Sequence, residues 1–593
     1  MGKIWFLVIS LALASALPSL WQAGSEASAS GWFASGDGVL FWLTWARDSG
    51  SRRLLYALAL AVAALVIVNF TKHSRSGLVR APSVVVAACS KPIPALLALA
   101  LAVLPQIVAP LVRPEPTGKP SVVVILLDTV RADHMGWGGC KLDTTPRLDA
   151  LAKQGAAFTQ AITQASWTKP SVASLLTGLV PGAHGAAGQS TQLPPDRRTL
   201  ADAMSAEGYR TYGLSSNPNI SYTFNFDQGF KLFHQGTSQK ANELIARARN
   251  WVMPKEPEEG AFFLYLHLND AHYPYTPEPV SVTRKGTQKI RGLFNPTGNS
   301  PVLDGASHDA FRMVGGIHDV HRDGGFTAED IELMRLSYAE EIRWLDDQVG
   351  EFVEDLLAER DDVIVVICAD HGEEFLDHGD LGHGHTLFEE LVRVPLQIMW
   401  SKGLGERMGL TAGVRSEQVR LIDVLPTILE TCDLQWPEAA TSLHGASLLS
   451  GLRGAILEDR VAFAETDISF SPLSGPAGPL RMLREPGAKF VMTDPWFEQT
   501  AGRLWLFNLA QDPHERVNVA EKDPALLERM RRALERCGLM IQHDLTGKWQ
   551  IGLNSKQQAE LAAIGYAGDN LQATTDEESS FAPGTIPWVK EKR

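Results

Sequence analysis

Long uncharged apolar runs fill much of the first 112 residues. Three of them, at 4–25, 54–70 and 92–112, contain no Asp, Glu, Lys or Arg and show no amphipathic period. At about 1.5 Å per residue, each run is long enough to cross the hydrocarbon core of a bilayer. The first run alone also fits a signal peptide, and any of them could be a buried helix, but three together favour a membrane anchor. The pattern predicts a transmembrane region at 1–112, with three spans in contact with membrane lipid.

Basic residues set the expected orientation of these spans. Four Lys or Arg residues between 72 and 91 place the loop before the third span in the cytoplasm. Three Arg residues between 47 and 53 would then lie outside, against the usual rule. Three spans with a cytoplasmic N-terminus put everything after residue 113 on the extracytoplasmic side of a multi-pass membrane protein.

After residue 112 the pattern becomes that of a folded α/β protein. Residues 113–120 form a Pro-rich linker, and the next run, SVVVILLD, is typical of a strand buried on both faces. Segments of helical period then alternate with apolar strands. The predicted strands are 121–128, 209–216, 261–268 and 362–370, and the predicted helices are 144–155, 170–178 and 328–360.

The C-terminal part of the chain has a different pattern. Four short strand-like runs and an amphipathic helix lie within 456–567, which predicts a small α+β subdomain after a main domain at 121–455. Residues 568–593 are polar and acidic, and they predict a disordered tail.

Composition excludes several classes of protein. The 593 residues carry 54 Lys+Arg against 68 Asp+Glu, a formal charge of −14, and no basic block. A nucleic-acid partner is therefore not expected, because neutralising phosphates needs concentrated Lys and Arg. The five cysteines lack CxxC spacing, so neither a disulfide framework nor a Cys-based zinc site is encoded.

Two of the predicted buried strands end in an acidic residue. Asp128 ends the first, and Asp370 is followed by His371 at the end of the strand at 362–370. Open parallel sheets bind ligands at this edge. Asp128 alone is more typical of a helix N-cap than of a ligand. Asp370 and His371 precede three more histidines among glycines at 378–385, a pattern that favours divalent-metal ligation with substrate contacts over a plain loop.

Thr168 and a histidine loop complete the polar candidates. Thr168 precedes Pro170 at a helix start, where a threonine caps the helix or lies beside an anion bound at the helix N-terminus. His272 lies in the loop beyond the strand at 261–268, where it could face the same sheet edge. His267 lies inside that strand, which is more typical of a satisfied core residue.

Together these segments resemble the sulfatase-like branch of the alkaline phosphatase superfamily over 121–567. The motifs stand in the family's order: Asp128 after a buried strand, TKPSVASLLTG, the H-x-P-Y loop from His272, ADHGEEFLDHG, FEELVRVPL, LFNLAQDPHERVNVA and ELAAIGY. The resemblance implies a mixed sheet flanked by helices, with the small C-terminal α+β subdomain.

The chain also departs from the family's pattern. Sulfatases proper carry Cys-x-Pro-Ser-Arg, whose Cys becomes formylglycine, whereas this chain has Thr168-Lys169-Pro170-Ser171-Val172. Their paired aspartates and Asp-Asn are replaced by Asp128-Thr129 and Asp370-His371. The chain thus resembles Thr- or Ser-nucleophile members, which include phosphatases, phosphodiesterases and phosphoglycerol or phosphoethanolamine transferases.

That resemblance implies one divalent metal held by Asp128, Thr168, Asp370 and His371. Nitrogen ligation favours zinc or manganese over calcium or magnesium. A second ion stays open, since Asp270, His272, His383 and His385 could supply donors.

The same resemblance implies roles for the remaining candidates. Thr168 would be the nucleophile, and His272 and His383 would stabilise the oxyanion or protonate the leaving group. Lys169 and His385 would contact substrate. The predicted function is a membrane-anchored hydrolase of phosphate or sulfate esters of a small molecule, lipid or glycan. A head-group transferase and a non-catalytic remnant are the alternatives.

Overall fold

The computed structural model describes most of the chain after residue 118. The described residues are 119–237, 239–253, 260–298, 326–437, 440–466, 479–493 and 503–540, with 551, 554, 556–557 and 561. The spans predicted in 1–112, most of the linker at 113–120 and the tail at 568–593 lie outside them. Within the described ranges, no helix combines the length and the apolar character needed to cross a bilayer.

Strands supply the framework of the described chain. They are β1 Ser121–Leu127, β2 Ala156–Ile162, β3 Arg210–Ser215, β4 Leu232–Gln235, β5 Phe262–Leu268, β6 Val280–Thr283, β7 Gly286–Lys289, β8 Val363–Cys368, β9 Glu374–Phe375, β10 Leu381–Gly382, β11 Arg393–Trp400, β12 Gly413–Arg420, β13 Ala462–Thr466, β14 Leu480–Glu485, β15 Ala488–Thr493 and β16 Leu504–Asn508.

Eight of these strands form the central sheet, in the order β12-β2-β11-β8-β1-β5-β3-β4. Only β11 runs antiparallel to its neighbours, and the other adjacent pairs are parallel. All seven residues of β1 are buried, as expected for a strand covered on both faces. The prediction of a mixed α/β sheet is confirmed.

The α-helices alternate with these strands along the chain. They are α1 Pro146–Ala152, α2 Thr168–Thr177, α3 Pro181–His184, α4 Leu200–Ala206, α5 Ala241–Val252, α6 Ala328–Glu359, α7 Glu389–Val392, α8 Lys402–Met408, α9 Val424–Thr431, α10 Leu449–Leu452 and α11 Pro524–Met540.

The long helix α6 starts at a capping box. The Thr327 side chain accepts a hydrogen bond from the Asp330 backbone N–H, and the Asp330 side chain accepts one from the backbone N–H of Thr327. The helix packs against α1 and α5, and it carries the tyrosine, Tyr338, that reaches the end of β1.

Several strands of the sheet were not predicted from the sequence. β11 contains Pro395, and its pairing with β2 shifts register between Val394 and Leu396. β12 is an edge strand whose first residues are partly exposed and polar. Neither segment shows the uninterrupted apolar run of β1 or β8, which explains why they were missed.

A second sheet occupies the C-terminal part. Strands β13 to β16 form an antiparallel sheet in chain order, and Met530 and Leu534 of α11 pack against its buried residues Leu483, Phe490 and Leu506. These elements agree with those predicted within 456–567, while the boundary of a separate subdomain stays a prediction.

The sheet register brings the two strand-end acids together. β1 and β8 are parallel neighbours, with Leu126 opposite Cys368. Asp128 and Asp370 each follow two residues later, so they leave the sheet side by side at its carboxyl edge.

Candidate active site

Asp128 is fully buried, and its two carboxylate oxygens have different surroundings. Oδ2 lies 2.8 Å from His267 Nε2 and accepts a 2.6 Å hydrogen bond from Asn217 Nδ2. Oδ1 receives no hydrogen bond, and it lies 3.8 Å from His371 Nε2. One oxygen is therefore saturated, and the other is left for a different partner.

Asp370 repeats this division. Its Oδ1 accepts hydrogen bonds from the backbone N–H groups of Thr129 and His371, at 3.2 and 3.0 Å. Its Oδ2 is buried without a hydrogen bond and lies 3.4 Å from His371 Nε2. The Ser171 hydroxyl donates to the Asp370 carbonyl at 2.7 Å, which ties α2 to the end of β8.

Thr129 links the two carboxylates through an unusual backbone conformation. Its φ is 61°, which is rare for a β-branched residue. Its N–H donates to Asp370, its hydroxyl donates to the Asp128 carbonyl at 2.7 Å, and its carbonyl accepts from the Tyr338 hydroxyl at 2.7 Å. These bonds hold the turn that directs both acids to one point.

Thr168 and His371 complete this cluster. Thr168 is the first residue of α2 and is buried. His371 Nδ1 lies 2.9 Å from the Gly372 carbonyl, which can only accept, so Nδ1 carries the proton and Nε2 has a lone pair. The Thr168 hydroxyl lies 3.2 Å from that Nε2 and donates to it.

Two more histidines lie beside His371. The ring centroids of His371 and His383 are 4.3 Å apart, and those of His383 and His272 are 5.0 Å apart. His272 Nδ1 donates to the Tyr273 carbonyl at 2.8 Å, and His383 Nδ1 lies 2.9 Å from Glu373 Oε1. The structure thus brings together the predicted Asp128, Thr168, His272, Asp370, His371 and His383.

Lys169 and His385, predicted to contact substrate, have other partners. The buried Lys169 ammonium lies within 3.4 Å of the carbonyls of Gly188, Gln189 and Thr191 and over the Phe224 ring. Burial holds the pKa of Lys169 well below its ordinary value. These bonds differ from the predicted substrate contact: the Lys169 amine instead binds the 188–191 loop.

His385 bonds to acids of its own loop. Its Nε2 lies 2.9 Å from Glu374 Oε2 and 3.7 Å from Asp380 Oδ2. Although burial opposes the charged form, the Glu374 bond and these charges raise the pKa of His385 to about 9. This geometry likewise differs from the predicted substrate contact.

The acids and histidines considered for a second ion are largely engaged elsewhere. Asp270 Oδ1 accepts from the backbone N–H of Ala241 at the start of α5 and faces Lys240 at 3.9 Å. His385 is held by its loop acids. The structure therefore groups no second donor set around His272 and His383 within the described residues.

Glu374, His378 and Glu390 also lie within 4.8 Å of one another. His378 Nδ1 lies 2.5 Å from Glu390 Oε1, and its Nε2 lies 3.1 Å from the carbonyl of His514. Although burial opposes the charged form, the Glu390 bond and the nearby carboxylate charges raise the pKa of His378. A histidine that donates from both nitrogens has no lone pair for a metal. We therefore assign this group as a structural ion-pair network.

Sequence reasoning set His267 aside as a core residue. His267 Nε2 lies 2.8 Å from Asp128 Oδ2, and its Nδ1 lies 3.0 Å from the Tyr265 hydroxyl. Asp128, His267 and Asp370 each offer an atom within 4.8 Å of the others. The sequence signal was a histidine near the end of an otherwise apolar strand, but that signal does not show that this strand pairs with β1.

Burial and charge set the protonation of the cluster. Burial, and then the neighbouring Asp128 charge, raises the pKa of Asp370. Although burial opposes it, the His267 hydrogen bond lowers the pKa of Asp128. Burial lowers the pKa of His371, and burial with the charges of His371 and His272 lowers that of His383. Burial thus favours the neutral imidazole at His371 and His383, and it disfavours a second negative charge beside Asp128.

The donor set fits a divalent cation. Asp128 Oδ1, Asp370 Oδ2 and Thr168 Oγ1 lie 3.8, 3.4 and 3.2 Å from His371 Nε2. Two carboxylate oxygens without hydrogen bonds, an imidazole lone pair and a hydroxyl form a mixed N/O set typical of zinc and other first-row metals. The fold thus brings the four residues of the predicted metal set together, and metal binding by them stays a prediction.

The fold and this site define an α/β enzyme with a polar centre at the carboxyl edge of its central sheet. The chain belongs to the sulfatase family: the family model described as Sulfatase matches residues 120–434. The match includes the strands and helix that carry Asp128, Thr168 and Asp370.

Known relatives agree with this family assignment. The chain is 24% identical over 443 residues to an ulvan-active sulfatase of Formosa agariphila, covering 69% of this chain and 78% of that protein. It is 26% identical over 460 residues to human arylsulfatase K, covering 69% and 80%. The phosphonate monoester hydrolase of Agrobacterium radiobacter shares the fold, with a TM-score of 0.54, 20% identity, and coverage of 72% of this chain and 96% of that one. At the level of the family, the prediction of an ester hydrolase is confirmed.

Proposed function

We propose that this protein is a divalent-metal-dependent hydrolase of sulfate or phosphate esters that uses Thr168 as a covalent nucleophile. The observation that carries the proposal is the convergence of the Thr168 hydroxyl, the His371 lone pair and the bare oxygens of Asp128 and Asp370. In the family's nucleophile motif, Cys is replaced by Thr168 and Arg by Val172, and the other hydroxyl of the motif, that of Ser171, is bonded to the Asp370 carbonyl.

The metal would be held by Asp128, Thr168, Asp370 and His371. When bound, a divalent ion supplies Lewis acidity that lowers the pKa of a hydroxyl and offsets charge on the ester oxygens. Zinc and manganese fit this donor set better than calcium or magnesium because it includes an imidazole nitrogen.

Thr168 attacks the sulfur or phosphorus atom from the N-terminus of α2. The Thr168 hydroxyl releases its proton to solvent, and the bond from Oγ1 to the sulfur or phosphorus atom forms as the bond to the leaving alcohol breaks, giving a sulfo- or phospho-threonine. Backbone N–H groups at the start of α2 lie at the electropositive end of the helix, which favours the anionic group being transferred. Water then cleaves the intermediate and regenerates Thr168.

His272 and His383 serve the leaving group and the developing oxyanion. Both lie beside His371, and the Nδ1 of each is bonded to an acceptor, which fixes its ring orientation. We propose that His383 passes a proton to the leaving alcohol in the transition state: burial lowers the pKa of the ring, and the Glu373 carboxylate at its Nδ1 holds the ring and stabilises the charge that develops on it.

The substrate is a small-molecule, lipid or glycan ester. Relatives named for ulvan and aryl sulfates and for phosphonate monoesters support both sulfur and phosphorus centres. We also propose that residues 1–112 anchor the protein through three spans in contact with membrane lipid, with the catalytic domain on the extracytoplasmic side. A lipid or membrane-associated glycan would then reach the site without release of the enzyme.

The test uses the full chain in detergent, depleted of metal and reloaded singly with Zn²⁺, Mn²⁺, Ca²⁺ or Mg²⁺. Aryl sulfate, aryl phosphate mono- and diesters and aryl phosphonate are compared as substrates. We expect turnover with Zn²⁺ or Mn²⁺, loss by at least about 10³-fold in Thr168→Ala, and partial retention in Thr168→Ser.

Intact-peptide mass spectrometry of Thr168 after a rapid acid quench identifies the intermediate. Wild-type turnover in Thr168→Ala with normal metal binding would refute the mechanism. The transferase alternative uses the same intermediate, so it is tested by adding glycerol or ethanolamine: an acceptor ester formed in preference to the free anion would assign transfer instead of hydrolysis.

A further inference from the structure

His267 and Asn217 both contact Asp128, and the proposed function assigns neither of them. His267 lies on β5 and Asn217 lies just beyond β3, so two strands beyond β1 each send one side chain to the same carboxylate. His267, Asn217 and Asp128 are each fully buried. Both contacts fall on the same oxygen, Oδ2.

The orientation of the Asn217 amide is fixed by its surroundings. Its Oδ1 accepts a 2.8 Å hydrogen bond from the backbone N–H of Asn219. Its Nδ2 therefore faces Asp128 Oδ2 at 2.6 Å and Asn269 Oδ1 at 3.0 Å, both of which accept. Asn217 is a hydrogen-bond donor to Asp128.

The direction of the His267 bond follows from its acceptor. An ionised carboxylate only accepts, so His267 Nε2 donates its N–H to Asp128 Oδ2. The Tyr265 hydroxyl, 3.0 Å from Nδ1, can satisfy the other nitrogen. A nitrogen that donates a proton to Asp128 has no lone pair for a cation, although His267 lies within 4.8 Å of the ligand atoms of Asp128 and Asp370.

We propose that His267 and Asn217 are positioning residues that saturate Oδ2 of Asp128 and so direct Oδ1 to the metal, with His267 outside the set of metal ligands. The inference rests on the metal site of the proposed function. Partners of this kind orient a ligating carboxylate and stabilise its charged form, and their loss weakens metal binding. The chain's donor set thereby contains one imidazole, that of His371, rather than two.

The experiment measures metal affinity without any substrate. Full-length protein in detergent is stripped with a chelator and titrated with Mn²⁺ or Zn²⁺ against a chromophoric competitor. The side-chain amide of His267→Gln can still donate a hydrogen bond to Asp128, whereas the leucine of His267→Leu has no donor. Asn217→Ala removes the second donor, and Leu264→Ala, a buried residue on the same strand, is the control for a general loss of packing.

We expect His267→Leu and Asn217→Ala to raise the dissociation constant about 10- to 100-fold, with His267→Gln and Leu264→Ala within about threefold of wild type. X-ray absorption of the zinc-loaded protein should show the same imidazole contribution in wild type and His267→Gln, and a reduced one in His371→Gln.

Two outcomes in His267→Gln would show that His267 is a ligand and overturn the inference: a loss of imidazole scattering, or a loss of metal affinity as large as that of His267→Leu. The metal-dependent function would stand in either case. Wild-type affinity in Asn217→Ala would also overturn it, and this variant carries the test if His267→Leu does not fold. A wild-type protein that binds neither Mn²⁺ nor Zn²⁺ would overturn the proposed function itself.

Discussion

Asp128 and Asp370 are buried neighbours whose pKa values shift in opposite directions. Burial and the charge of Asp128 raise the pKa of Asp370, whereas the His267 bond lowers that of Asp128 although burial opposes it. Neutralising each residue should therefore change the stability of the metal-free protein with opposite sign. We predict that Asp370→Asn is stabilising and that Asp128→Asn is destabilising.

The distance between the two acids sets the size of the effect. One oxygen of each lies within 4.8 Å of the other. At an effective dielectric constant of about 20, two unit charges at that distance repel by roughly 3.5 kcal/mol. Partial protonation of Asp370 relieves part of this repulsion, so we expect a gain of about 1–3 kcal/mol in the unfolding free energy of Asp370→Asn near neutral pH. Asp128→Asn should lose about 1–3 kcal/mol, because its hydrogen bonds are no longer charge-assisted.

The pH dependence follows from the same shifts. An acid with a raised folded pKa costs stability above its unfolded pKa of about 3.9, so the advantage of Asp370→Asn should grow as pH rises from there and disappear below it. Asp128, with a lowered folded pKa, contributes stability that is present above about pH 3.9 and is lost as pH falls through its folded pKa.

The assay is chemical unfolding of chelator-treated full-length protein in detergent between about pH 5 and 8. Asp143→Asn, at an exposed position, is the control for the loss of one negative charge. With Zn²⁺ or Mn²⁺ in excess, wild type should be stabilised and Asp370→Asn should not. If Asp370→Asn destabilises the metal-free protein as much as Asp128→Asn does, the reasoning about crowded carboxylates is wrong.

Three further changes test other parts of the structure. Glu373→Gln removes the charge beside His383, so hydrolysis of esters with poor leaving groups should become about tenfold slower, and the alkaline limb of their pH–rate profile should shift to lower pH. Hydrolysis of activated aryl esters should change little, and equal losses for both kinds of ester would refute the role of His383. Lys169→Met should lower the free energy of unfolding by about 1–3 kcal/mol and leave KM unchanged, because carbonyls of the 188–191 loop lose their donor. A raised KM with normal stability would instead support the predicted contact of Lys169 with substrate. Residues 1–112 should keep the protein in the membrane pellet after alkaline carbonate extraction, and release of the intact chain would contradict the three predicted spans.

The predictable part of the site lies at the ends of continuous apolar strands. SVVVILL and VIVVIC are buried throughout, so their patterns located the strands, and the parallel-sheet rule then located Asp128 and Asp370. The helix beginning at Thr168 was recognisable from Pro170 and the apolar residues after it.

The rest depended on contacts that no local pattern encodes. His267 meets Asp128 only because β5 pairs with β1, and Lys169 turns to the 188–191 loop although it adjoins the nucleophile position in sequence. β11 is interrupted by Pro395 and a register shift, so its role as the one strand running against the central sheet could not be read from hydrophobicity.

The left-handed turn at Thr129 has a consequence for how the site meets its cation. A threonine at a φ of 61° costs roughly 1–3 kcal/mol, and this conformation is held by bonds to Asp128, Asp370 and Tyr338. The backbone can relax at this point only if the link between the strand ends breaks. The two acids are therefore brought together during folding rather than by the ion, so binding requires little reorganisation. The ion offsets the repulsion between the two acids, whereas the backbone strain at Thr129 remains in both the metal-free and the metal-bound protein.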